Sequence, residues 1–145
     1  LVGEGMSVFC GGSKTTSADS ATAVKLLSSF GKVLELPEGQ FDAVTAVSGS
    51  GPAFLTYLLN GMAEAGVQEG LNRRDALLLA EQTMLGTAKL LLEEGIDPRE
   101  LITSVTSAKG TTAAGLAILE KSDVLASLRA TIHAAAERSR ELSAG

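Results

Sequence analysis

The stretch Thr106-Ser107-Ala108-Lys109-Gly110-Thr111-Thr112 gathers four hydroxyls around a glycine, just ahead of a run with helical spacing. Backbone N–H groups at a helix start have no intrahelical partner and sit at the positive end of the helix dipole, so such a start takes up anions. Glycine lets a ligand approach the main chain, and a small carboxylate suits the setting. The same residues have a plainer use, because Thr111 or Thr112 can serve as the N-cap; the two uses are compatible. Elsewhere reactive chemistry is sparse. His133 is the single histidine and follows Ile132 inside a helical stretch without a serine or cysteine nucleophile motif nearby, so a packing or surface role is expected. Glu93-Glu94 and Glu64 form no carboxylate pair that spacing can define, and solvated helix faces account for them. Cys10 stands alone, which excludes an internal disulfide and points to a small buried strand residue in a reducing, cytoplasmic setting. No Cys/His cluster has metal-ligand spacing, so no metal is expected.

These residues must be held by the rest of a 145-residue chain, long enough for a real core without metal or disulfide staples. Aromatic residues make up 3% and tryptophan is absent, while alanine and leucine dominate the apolar share. That balance predicts a mainly α protein of closely packed helices. The net charge is -5 and the twelve lysines and arginines are scattered, which argues against a nucleic-acid partner. No apolar run reaches the ~18 residues of a membrane span, and no signal peptide is visible.

Ser7–Cys10 and Lys32–Leu36 are short segments of strand-forming residues. Between them Val24, Leu27 and Phe30 recur at helical spacing, with Ser17 or Asp19 able to cap the start and Gly31 the end. Strand, helix and strand over about thirty residues predict a βαβ unit with parallel strands. Two parallel strands need cover on both faces and both edges, and the chain opens on Leu1 rather than methionine, so this piece reads as the tail of a larger sheet. After Pro37-Glu38-Gly39 no alternating pattern remains. A domain boundary is therefore expected there, with residues 1–38 the end of a Rossmann-type domain and 39–145 an α-helical domain.

Within the second part, Phe41 to about Glu69 is helical in pattern but interrupted at Gly49-Ser50-Gly51-Pro52. Asn72 and Asp75 open a helix running to Glu94, with Leu77, Met84, Leu85, Ala88 and Leu92 on its apolar face and Gly95 as its stop. Asp97-Pro98-Arg99-Glu100 starts a short helix ending near Val105. Thr111-Thr112 open the next, and Ser122 or Asp123 caps a last one that buries Val124, Leu125, Leu128, Ile132 and Ala136. Small residues such as Ala63, Ala65, Ala80, Gly86 and Ala135 permit close helix contacts, with a second copy as readily as within one chain.

Two segments carry a family resemblance. Val47-Ser48-Gly49-Ser50-Gly51-Pro52-Ala53-Phe54 resembles the Ser-Gly-Ser-Gly-Pro-Ala-aromatic segment of pyrroline-5-carboxylate reductases, and Val105 to Leu116 resembles their signature. Asp42-Ala43-Val44-Thr45, Leu85-Gly86-Thr87-Ala88-Lys89 and Arg138-Ser139-Arg140-Glu141-Leu142 follow in matching order, and Val2-Gly3-Glu4-Gly5 is similar to a stretch late in the family's nucleotide domain. One departure stands out: the family often has Ser-Pro-Gly-Gly-Thr-Thr where this chain has Ser107-Ala108-Lys109-Gly110-Thr111-Thr112, which changes loop stiffness and adds a charge.

The resemblance implies reduction of 1-pyrroline-5-carboxylate to L-proline with NADPH or NADH. It implies that Thr112 meets the ring nitrogen, that Ser107 and the backbone of Gly110, Thr111 and Thr112 hold the carboxylate, that Glu38 lies near the substrate, and that Ser104 contacts the nicotinamide. A homodimer or higher homo-oligomer built through the helical part is implied as well. No G-x-G-x-x-G turn follows a strand here, so the chain by itself is expected to hold no dinucleotide and to be inactive. Three other readings stay open: a 6-phosphogluconate or β-hydroxyacid type dehydrogenase, against which Glu93 rather than asparagine follows Lys89 by four; a non-catalytic oligomerisation module; and a related reductase acting on another imine.

Overall fold

The computed structural model describes residues 3–144. Gly5–Phe9 (β1) and Gly31–Glu35 (β2) pair in parallel, from Gly5 opposite Gly31 to Phe9 opposite Glu35, with helix Ser17–Leu27 (α1) between them in sequence. The expected βαβ order is present, but each strand starts and ends earlier than its apolar residues suggested. The cause lies in two glycines. Gly5 N–H donates to the Phe30 carbonyl at 2.7 Å, and Gly31 has a φ of 144° with its Cα so close to Gly5 that a Cβ would run into the Gly5 backbone. Pairing therefore begins where no apolar pattern marks it. Cys10 falls just past β1 and is half-buried, so it is not the buried strand residue expected.

The N-cap of α1 is Thr16, not Ser17 or Asp19. Thr16 Oγ1 accepts from the Asp19 N–H at 3.3 Å while the Asp19 carboxylate accepts from the Thr16 N–H at 2.9 Å, a reciprocal capping box. The Thr16 hydroxyl and N–H together hold the Asp19 carboxyl below its ordinary value. Ser28 rather than Gly31 closes the helix.

A single turn, Glu38–Gln40, leads into Phe41–Val44 (α2), then a wide π-turn over Thr45–Gly49, and after Ser50 the long helix Gly51–Gln68 (α3). The interruption falls at the glycines and proline that predicted it. Pro52 sits in the first turn of α3, where its missing N–H is no loss. Arg73–Glu94 (α4) starts with Asn72 Oδ1 accepting from the Asp75 N–H at 3.0 Å and stops at Gly95, whose φ is 64°. Pro98–Ser104 (α5) is capped by Asp97, Thr111–Lys121 (α6) follows a short loop, and Val124–Ser143 (α7) begins with Ser122 Oγ accepting from the Val124 N–H at 3.3 Å. No helix among the described residues is long and apolar enough to cross a membrane.

The chain divides into two compact units, Leu1–Gly51 with Ala130–Gly145, and Pro52–Arg129. In the first, the Ser139 hydroxyl donates to Asp42 Oδ1 at 2.6 Å, joining α2 to α7 across 97 positions. Ala46 and Ala136, one turn from each partner, are buried. In the second unit the buried apolar residues are Ala63, Ala76 and Ala80, and among the described residues no large side chain is fully buried. Several residues expected on buried faces are corrected by this: Leu85, Ala88, Leu92, Leu125 and Leu128 are exposed, while Leu77, Met84, Val124 and Ile132 are half-buried and Ala136 is buried. The apolar stripes exist, but the helices of the chain do not cover them.

Candidate functional site

The segment from the end of α5 to the start of α6 positions most of the candidate residues. Helix α5 closes with Ser104, whose hydroxyl donates to the Leu101 carbonyl at 2.8 Å, and the Thr106 hydroxyl turns back to the Ile102 carbonyl at 2.6 Å. Two of the polar groups are thus spent on finishing α5. Gly110 N–H then donates to the Ser107 carbonyl at 3.0 Å, which closes a tight turn over Ser107–Gly110.

Helix α6 has Gly110 as its N-cap, in extended conformation, and no side chain caps it. This corrects the expectation that Thr111 or Thr112 caps the helix: they are its first two residues, and both are exposed. The first intrahelical bond belongs to the Ala114 N–H, 3.2 Å from the Gly110 carbonyl. The N–H groups of Thr111 and Thr112 are therefore left for solvent or a ligand. A Cβ at Gly110 would meet Ser107 Oγ, so a side chain there would oblige that hydroxyl to turn away from the helix start. Ser107, Gly110, Thr111 and Thr112 are brought together around one exposed helix start, with the positive end of the α6 dipole facing any ligand.

Glu38 opens the turn ahead of α2 and is exposed; it belongs to the other compact unit. His133 is an exposed surface residue of α7 with Nε2 3.5 Å from Glu137 Oε1, as a surface role requires. Among the described residues no group of histidine, cysteine and acidic side chains could hold a metal ion.

Sequence reasoning passed over two features. Lys109 has a φ of 64°, the left-handed region, in the middle of the loop. Next to the loop, α4 and α5 border a groove of about 410 Å³ between Gln82, Thr83, Gly86, Thr87 and Leu90 on one side and Leu101, Ile102 and Val105 on the other. The spacing Thr83, Thr87, Leu90 along one helix face was the available signal, hidden because its polar members interrupt the apolar pattern.

The chain thus has a parallel βαβ piece followed by helices, one of which has an uncapped, glycine-led start. Residues 38–142 match the family described as pyrroline-5-carboxylate reductase dimerisation, and the chain belongs to that family. It is 43% identical over 141 residues to a pyrroline-5-carboxylate reductase of Methanosarcina acetivorans, covering 97% of this chain and 52% of that protein. It is 46% identical over 142 residues to that of Arabidopsis thaliana, covering 98% and 51%. Among solved structures, a pyrroline-5-carboxylate reductase from Coxiella burnetii superposes with a TM-score of 0.94 at 31% identity, over 97% of this chain and 53% of that one. The Plasmodium falciparum pyrroline carboxylate reductase with NADP bound gives 0.86, also at 31% identity, over 97% and 53%. The chain spans about half the length of the curated relatives it matches.

Proposed function

We propose that this chain supplies the helical, substrate-side half of a pyrroline-5-carboxylate reductase, which reduces the cyclic imine of 1-pyrroline-5-carboxylate to L-proline at the expense of NADPH or NADH. The observation that carries the reading is the uncapped start of α6, where Gly110, the N–H groups of Thr111 and Thr112, and two threonine hydroxyls stand together without an internal partner for the helix cap. In this reading the substrate carboxylate accepts from the Thr111 and Thr112 N–H groups and the Ser107 hydroxyl. The Thr112 hydroxyl meets the ring nitrogen, whose charge changes as the imine becomes an amine. The nicotinamide supplies the hydride.

The dinucleotide itself does not fit this chain. Its pyrophosphate needs a G-x-G-x-x-G turn between a strand and a helix; the turn after β1 has Gly11-Gly12 without that spacing, and the Ser104 hydroxyl is already used inside α5. Residues 1–38 are accordingly read as the end of a Rossmann-type domain and 39–145 as the helical domain; Glu38 for the substrate and Ser104 for the nicotinamide stay in the proposal on the family resemblance alone. A homodimer is part of the proposal, since α3 exposes an apolar stripe of Leu55, Leu58 and Met62.

The test is a chimera in which this chain replaces the corresponding half of the Methanosarcina relative, assayed by NADPH oxidation with pyrroline-5-carboxylate. Turnover is expected. A chimera that folds, pairs and binds NADPH yet shows no turnover would overturn the reading and leave an oligomerisation module.

A further inference from the structure

The Ser107–Gly110 turn holds Lys109 at a φ of 64°, and among the described residues Lys109 is the one non-glycine residue with positive φ. A four-residue turn with positive φ at its third residue favours proline second and glycine third. This chain has Ala108-Lys109 at those two places. Neither residue presets the turn. A side chain in the left-handed region is disfavoured by about 5- to 30-fold against ordinary backbone conformations, and the exposed Lys109 makes no ion pair among the described residues that would offset this.

We infer that the Ser107–Gly110 turn is a two-state element in which the closed form is held against strain at Lys109 and is completed by ligand. In the open form Lys109 returns to negative φ and the bond from Gly110 N–H to the Ser107 carbonyl breaks. Gly110 is the N-cap of α6 and its Cα lies against Ser107, so opening separates the Ser107 hydroxyl from the first N–H groups of the helix. A carboxylate that binds both favours the closed form. Its apparent affinity is reduced by the closed fraction of the free protein, a loss that relief of the strain at Lys109 would lessen. The inference rests on the proposed carboxylate site for its ligand, but not for the turn equilibrium itself.

The two parts are tested separately. In the unliganded chain, amide exchange at Gly110 followed by NMR reports opening of the turn, with the Asp75 amide as reference. Lys109→Gly removes the side-chain strain but adds glycine flexibility, so Gly110 exchange should slow by about 3- to 10-fold. Lys109→Ala removes the charge and keeps the strain, and should leave exchange within about 2-fold of the parent. Equal exchange in all three, or equal slowing by glycine and alanine, overturns the two-state turn. In the chimeric enzyme, Lys109→Gly should lower KM for the imine by a similar factor while Lys109→Ala does not. Slowed exchange with unchanged KM would refute the coupling to ligand and count against the proposed carboxylate site, leaving the turn equilibrium established.

Discussion

Replacing Met62 by lysine should abolish self-association of the chain. Leu55 and Met62 lie seven residues apart on α3, two turns along one face, while Tyr57 points from the other side. Their exposures are 52%, 55% and 81%. Leu55, Leu58 and Met62 form an exposed apolar stripe on α3, on the side away from the polar row Thr56, Asn60, Glu64 and Gln68, and an apolar helix stripe is stable only when covered. Fully burying a methionine is worth about 1.5–3 kcal/mol. With 55% of Met62 still open, cover by a partner contributes about 1 kcal/mol per copy. In a symmetric pair the residue occurs twice, so Met62→Ala should cost about 2 kcal/mol, or a 30-fold rise in Kd. Lysine loses the same contacts and places an ammonium group in the interface at a further cost of several kcal/mol if it stays buried. Allowing for escape of the long side chain toward water, a total on the order of 6 kcal/mol corresponds to a Kd raised by about 20,000-fold. Light scattering between 1 and 100 µM should find pairs for the parent and single chains for Met62→Lys. A Met62→Lys protein that pairs as tightly as the parent would remove α3 from the interface, and a parent that stays single throughout would refute the pairing altogether.

Thr112→Ala in the chimeric enzyme should lower kcat by about 30- to 1000-fold, the effect of losing one hydrogen bond to a group that changes charge. Because Gly110 and not Thr112 caps α6, its unfolding free energy should stay within about 0.5 kcal/mol of the parent; lost stability with normal kcat would refute the assignment. Gly31→Ala should destabilise the chain by about 3–5 kcal/mol, combining a disallowed φ with collision against the Gly5 backbone. Gly39→Ala, where a Cβ meets nothing within 4 Å, is the control in the same urea melt, and equal midpoints would contradict the strand register. The carboxyl of Asp19 is lowered from 3.8 by its hydrogen bonds to Thr16, so its contribution is present above pH 3.8 and lost as pH falls through the lower folded value. Thermal melts of the parent should show that loss below pH 3.8, and Asp19→Asn should not; parallel pH profiles would discount the capping box.

Much of this protein was legible in the amino-acid order because the signals are local. Asn72 with Asp75, Asp97-Pro98 and Gly95 place their helix ends by hydrogen bonds and backbone preferences that reach only a few residues, and Gly49 to Pro52 mark the interruption before α3 for the same reason. The chemistry-bearing stretch, Thr106 to Thr112, could be picked out by its hydroxyls and glycine. Which atoms of it are available could not. Thr106 turns back to Ile102. The start of each strand was likewise decided in three dimensions, by the close approach of Gly5 and Gly31. Asp42 and Ser139 lie 97 positions apart, beyond the reach of any periodicity, and only the folded chain makes them partners. The apolar faces were visible as spacing, yet spacing cannot tell cover within the chain from cover by another molecule. The structure leaves Leu85, Leu92 and Leu125 open because burial depends on which surfaces meet, and the helices of this chain do not supply the opposing surface.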